Sequence, residues 1–162
     1  MRKNLNLKNP LNWFSIGFGS GLIPLAPGTF ASILAALIYL ILIDPNLDSF
    51  LSISFYVVFI ILAFFFGLFI FPQSSGDIKD PSFFVWDEFV GMWIACLPLS
   101  FFELTWVWLI VEIIFFIFFD IWKPWIIREF DLMEGPFGVM MDDVVAGIFT
   151  SIILVLTLYL LA

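Results

Sequence analysis

From Phe50 to Phe71 the chain runs 22 residues without a charged side chain. Roughly 20 apolar residues are what an α-helix needs to cross the hydrocarbon of a bilayer. No water is available there to satisfy backbone N–H and C=O groups, so the segment must satisfy them within its own helix. The rest of the chain agrees with that environment. It is 63% hydrophobic, 20% aromatic and only 12% charged, against roughly 45–50% apolar usage in soluble domains. The expected fold is all-α, an integral membrane helical bundle, and 162 residues is the length of one domain, 1–162.

About five apolar helical segments follow one another. A short basic arm (1–10) precedes a run rich in glycine and proline, from Trp13 to Thr29, with glycines at 17, 19, 21 and 28 and prolines at 24 and 27. That composition excludes a regular spanning helix and also breaks up what would be the apolar core of a cleavable signal. Thr29 is the expected N-cap of an apolar segment reaching Ile43. After the turn at 44–49 come Phe50–Phe71, a polar loop from Pro72 to Pro81, and a short apolar segment from Phe89 to Phe101, only partly spanning and completed by a turn at Val85–Glu88. Leu104–Phe119 and Val144–Leu161 complete the set, separated by a long interfacial segment that includes a short helix near Ile126–Phe130.

Five spans alternate sides, and this places all six cationic residues (Arg2, Lys3, Lys8, Lys79, Lys123 and Arg128) on one face. The excess of Lys and Arg marks that face as cytoplasmic. Ten of the fourteen acidic residues fall there too.

Those acids are the chemistry of the chain. Asp87 and Glu88 stand together at the mouth of an apolar run with no base beside them, and burying a lone carboxylate costs several kcal/mol, so the pair calls for a cation, a proton or water. Asp80 precedes them, Asp120 ends the fourth segment, and Asp142 and Asp143 open the last, where capping of a helix N-terminus is the competing reading. Histidine is absent, which removes imidazole metal sites and Ser-His-Asp triads. Cys96 is the single cysteine and lacks an arginine at the spacing of a phosphate-binding thiolate loop. A hard cation held by oxygen ligands is the chemistry left. The net charge of −8 excludes a nucleic-acid partner. Lys123 is the expected phosphate contact, with backbone N–H groups of the 19–29 stretch (Gly19, Ser20, Gly28 and Thr29) and Arg128 as further anion contacts. A cation- or proton-coupled carrier is the alternative, although of the acids only Glu112 lies at membrane depth.

Four blocks, in order, resemble the phosphatidylglycerophosphatase A family. They are Gly17-Phe18-Gly19-Ser20-Gly21 with Pro24 and Ala26-Pro27-Gly28-Thr29; Val85-Trp86-Asp87-Glu88-Phe89-Val90-Gly91; Asp120-Ile121-Trp122-Lys123-Pro124-Trp125; and Gly138 to Gly147, containing Met141-Asp142-Asp143. The resemblance implies a multi-pass lipid phosphatase of the bacterial inner membrane that uses Mg²⁺ and converts phosphatidylglycerophosphate to phosphatidylglycerol. On that reading Asp87, Glu88, Asp120, Asp142 and Asp143 supply metal ligands. Asp80, Asp87, Glu88 and Lys123 take part in catalysis, with one acid as general base. The chain departs from the family pattern at Pro81 (usually His), at Ile117 (usually Arg) and at Gly135-Pro136 (usually Gly-Gly).

Overall fold

A computed structural model describes residues 5–44, 47–76, 78–79, 81–101 and 106–161. Among these residues the structure is helical and contains no strand. The helices are α1 (Leu11–Ser15), α2 (Pro27–Ile38), α3 (Phe50–Ser75), α4 (Trp86–Cys96), α5 (Trp106–Trp122), α6 (Ile126–Asp131) and α7 (Pro136–Leu161). A 3-10 segment, Gly17–Leu22, joins α1 toward α2. A π-helical turn at Tyr39–Ile43 prolongs α2, and a 3-10 turn at Leu97–Phe101 prolongs α4.

Two of these helices, α3 and α7, are long and apolar enough to cross a membrane. Phe55, Val58, Leu62, Phe65 and Phe69 project outward from α3, and Ile148, Ile152, Val155 and Leu156 from α7. The expected boundaries shift in four places. The α3 helix continues past Phe71 to Ser75, with Pro72 inside its last turn, and starts at a capping box between Ser49 and Ser52. The expected turn at Val85–Glu88 is helical from Trp86 onward. Thr29 is not the N-cap of α2; Ala26 is, in a left-handed conformation (φ 50°), and Pro27 takes the first helical position. The last helix starts at Pro136, not Val144, which puts Asp142 and Asp143 in its second turn.

The centre of the bundle is α4. At 11 residues it is too short to face lipid along a membrane's thickness, and it does not need to, because protein surrounds it. Phe89, Val90, Met92, Ala95 and Cys96 are fully enclosed. Polar clamps tie it to its neighbours. The Trp86 indole N–H donates to the Ala63 carbonyl (2.9 Å), and that of Trp93 to the Ala35 carbonyl (3.1 Å). The Tyr56 hydroxyl donates to the Trp93 carbonyl (2.8 Å), and the Ser151 hydroxyl to that of Ile94 (2.8 Å). In an apolar interior such bonds fix register, since a slip leaves a polar group unpaired.

Where α4 meets α7, two glycines face each other. A Cβ on Gly147 would strike the Gly91 carbonyl, and one on Gly91 would lie 2.6 Å from the Asp143 carbonyl oxygen. Small residues at the crossing let the two backbones touch. The acids one turn from this contact are thereby brought together.

Candidate active site

At one end of the bundle, the starts of α2 and α4, the end of α5 and the second turn of α7 enclose a cavity of about 320 Å³. Asp87, Glu88, Asp120, Asp142 and Asp143 all line it, as do Gly28, Thr29 and Lys123. Within it, Asp87, Glu88 and Asp143 each place a carboxylate oxygen so that the three lie within 4.8 Å of one another. Asp87 and Asp143 are almost fully buried, at 7% and 3% exposure. Oε2 of Glu88 and Oδ1 of Asp143 are enclosed with no hydrogen-bond partner. Two orphaned carboxylate oxygens in one small volume are costly unless a cation, a proton or water satisfies them, and an all-oxygen donor set suits a hard divalent ion. The residues therefore fit the Mg²⁺ that the family resemblance implies.

The local backbone shows why the acids stand where they do. Asp87 and Glu88 occupy the first turn of α4, where the helix dipole favours negative charge, and Asp87 Oδ1 accepts the Glu88 N–H (3.1 Å). Asp142 Oδ1 accepts the Asp143 N–H in the same way (3.0 Å). Because Asp142 and Asp143 lie in the second turn of α7, capping does not account for them. Gly28 sits directly against Glu88 Oε1, so any side chain there would displace that carboxylate.

Lys123 is committed to the protein. Its ammonium donates to Asp142 Oδ2 and to Asp131 Oδ1, both at 2.6 Å. Burial alone would push this ammonium's pKa down, but the charge of Asp142, the hydrogen bonds to Asp131 and Asp142 and the charge of Asp120 outweigh it and hold the group protonated, well above the usual lysine range. Lys123 itself has φ 46° and Trp125 φ 47°, left-handed values that bend the chain sharply between α5 and α6 and bring Asp131 back to the cavity.

The remaining expected contacts divide. Asp80 lies outside the described residues. Gly19 and Ser20 do not line the cavity: the 3-10 turn that contains them packs on the start of α4. A Cβ on Gly17 would meet the Phe89 ring at 2.6 Å, the Ser20 hydroxyl donates to the Gly17 carbonyl (2.8 Å), and the Ser15 carbonyl accepts the Val85 N–H (2.8 Å). That turn cradles α4. Arg128 is exposed on α6 and is not in the lining either, nor is Ile117. Three lining residues had no sequence signal as site groups: Lys79, Ser82 and Asp131.

In all, six carboxylates (Asp87, Glu88, Asp120, Asp131, Asp142 and Asp143) and two lysines (Lys79 and Lys123) line the cavity. Ionised, these acids would repel a phosphate anion, and a metal cation bound among them would offset that repulsion. A carrier would instead leave ionisable groups through the depth of the bundle. Among the described residues, Glu112 is the acid buried there away from the cavity, so the carrier reading is not supported.

The structure is thus an all-helical bundle with two helices long and apolar enough to cross a membrane and an acid-lined cavity at one end. The family model described as phosphatidylglycerophosphatase A matches residues 13–158, and the chain belongs to that family. It is 38% identical over 154 residues to phosphatidylglycerophosphatase A of Haemophilus influenzae, covering 93% of this chain and 90% of that protein. It is 35% identical over 156 residues to phosphatidylglycerophosphatase A of Escherichia coli, covering 94% and 86%. A Bacteroides thetaiotaomicron protein provisionally named phosphatidylinositol-3-phosphatase is 36% identical over 141 residues, covering 85% and 87%. No solved structure matches the chain. The chain is a phosphoric monoester hydrolase.

Proposed function

We propose that this chain, as a single membrane-embedded unit, hydrolyses the terminal phosphate of phosphatidylglycerophosphate, giving phosphatidylglycerol and phosphate. The observation that supports this most is the cluster of Asp87, Glu88 and Asp143 inside a cavity where all four family-like blocks except the 17–21 turn converge. These three residues would hold Mg²⁺, with Asp120 beside them. A bound Mg²⁺ supplies charge neutralisation of the phosphate and a more acidic water.

The chain's own groups do the rest. A carboxylate of the cavity lining that the ion does not engage takes the proton of the attacking water. Gly28, having no side chain, leaves room for the Glu88 carboxylate, and Thr29 beside it lines the cavity where the headgroup would lie. Lys123 holds Asp142 and Asp131 in position and offsets part of the acidic charge, which makes it a positioning residue more than a phosphate clamp.

The cavity faces the cytoplasm of a bacterial inner membrane on this reading. Its support is the alternation of five apolar segments, with α2, α4 and α5 as the shorter ones, which in the sequence puts all six cationic residues on one face. The test is phosphate release from phosphatidylglycerophosphate by purified protein in detergent, with phosphatidylglycerol identified as the product. Release should vanish with a chelator and return with Mg²⁺. Release that ignores the chelator, or none with Mg²⁺ present, refutes the proposal.

A further inference from the structure

Beside the cavity lies a second hollow, of about 330 Å³, with Phe71, Pro72, Ile78 and Pro136 among its walls. Lys79 lines both. It therefore stands at the junction between a polar, acid-lined chamber and an apolar groove that begins at the end of α3. Its own partner is weakly held: Glu134 is 3.7 Å away, and the two side chains are 53% and 87% exposed. An ion pair that open to solvent contributes little and is readily exchanged. Lys123, the other lysine of the chamber, is bound to two carboxylates at 2.6 Å.

Phosphatidylglycerophosphate has two phosphates, a terminal monoester and a diester. The monoester is cut; the diester lies one glycerol away, where the headgroup gives way to the apolar glyceride. The junction at Lys79 has that same polarity change. On the proposed function above, we infer that Lys79 binds the phosphodiester of the lipid substrate, exchanging Glu134 for it. The glyceride backbone then lies in the Phe71–Pro136 groove, while the monoester reaches the acids. Lys79 would thereby select a substrate with a second phosphate at that distance and set its depth.

The experiment compares wild type, Lys79→Gln and Lys79→Arg on phosphatidylglycerophosphate, with phosphatidylglycerol and inorganic phosphate as inhibitors. Phosphatidylglycerol has only the diester; inorganic phosphate mimics only the monoester. Loss of one charge-assisted contact is worth roughly 10- to 100-fold. Lys79→Gln should raise KM for the substrate and Ki for phosphatidylglycerol by that factor. Ki for inorganic phosphate should move less than about threefold, and Lys79→Arg should restore most of the loss. An equal rise in both Ki values, no rise in either, or a wild type that phosphatidylglycerol does not inhibit overturns the assignment. A wild type that releases no phosphate from phosphatidylglycerophosphate overturns the proposed function itself, a separate result.

Discussion

Replacing Gly147 with alanine tests what brings the acids together. A Cβ there would collide with the Gly91 carbonyl oxygen, and would lie 3.1 Å from its carbon and 3.2 Å from Ile94 Cβ. Relaxing these contacts to ordinary separations of about 3.5 Å or more requires α4 and α7 to part by roughly 1 Å, because backbone cannot rotate aside. The overpacking itself costs about 1–3 kcal/mol. The effect on activity should be larger than that implies. Asp87 and Glu88 ride on α4 and Asp143 on α7, so the separation opens the three-carboxylate cluster directly. Misplacement of a reacting group by 1 Å is worth about 10²-fold in rate. Gly67→Ala is the comparison: its Cβ would meet the flexible end of Met140 at 2.5 Å and the Trp86 edge at 2.9 Å, and a methionine can move away. Phosphate release by folded, monodisperse protein should fall about 10²-fold in Gly147→Ala and less than about fivefold in Gly67→Ala. A folded Gly147→Ala protein with wild-type turnover would refute the claim that this helix crossing sets the site.

Three further outcomes are expected. Gly28→Ala places a methyl against Glu88 Oε1 and should raise the Mg²⁺ concentration for half-maximal activity by about tenfold, on the scale of a disturbed metal-site partner; adding it to Glu88→Gln should cost nothing further. Lys123→Met leaves Asp142, at 6% exposure, without its cation, which should destabilise the protein by on the order of 3 kcal/mol in a detergent melt, and adding Asp142→Asn should recover part of the loss. Cysteines placed at Glu134 and Asp48, in a Cys96→Ser background, should label from the cytoplasm and from outside respectively with an impermeant reagent; labelling of both from one side would break the five-segment topology.

The composition and the uncharged run at 50–71 are enough to imply helices and apolar outward faces, because lipid permits little else. The adjacent acids are legible too, since a carboxylate pair in apolar sequence is too costly to keep without a cation, a proton or water to satisfy it. What sequence hides is the source of each constraint. The 17–21 turn has the glycines of an anion loop, yet Gly17 lies under Phe89 and Gly21 against the Phe83 carbonyl. Only the fold shows which partner comes that close. Asp142 and Asp143 read as openers of a helix because Val144 begins the unbroken apolar run, whereas Pro136 can start the helix two turns earlier without its missing N–H mattering. Asp131 reads as part of the solvated face of α6. Pro124 announces that α5 ends, but not the positive φ at Lys123 and Trp125 that turns Asp131 inward. Lys79 carries no signal at all, since a lysine in a polar loop is ordinarily solvated.

The central claim is that Asp87, Glu88 and Asp143 bind the divalent ion that hydrolysis requires. It is tested most directly by measuring Mn²⁺ binding, by electron paramagnetic resonance, to purified wild type, Glu88→Gln and Asp143→Asn, with phosphate release measured on the same samples. Each amide keeps the shape of the side chain and removes a charged ligand, so affinity should fall by at least about tenfold and turnover by about 10²-fold, together. Variants that bind Mn²⁺ as tightly as wild type, or that lose the ion yet keep full turnover, would contradict the account.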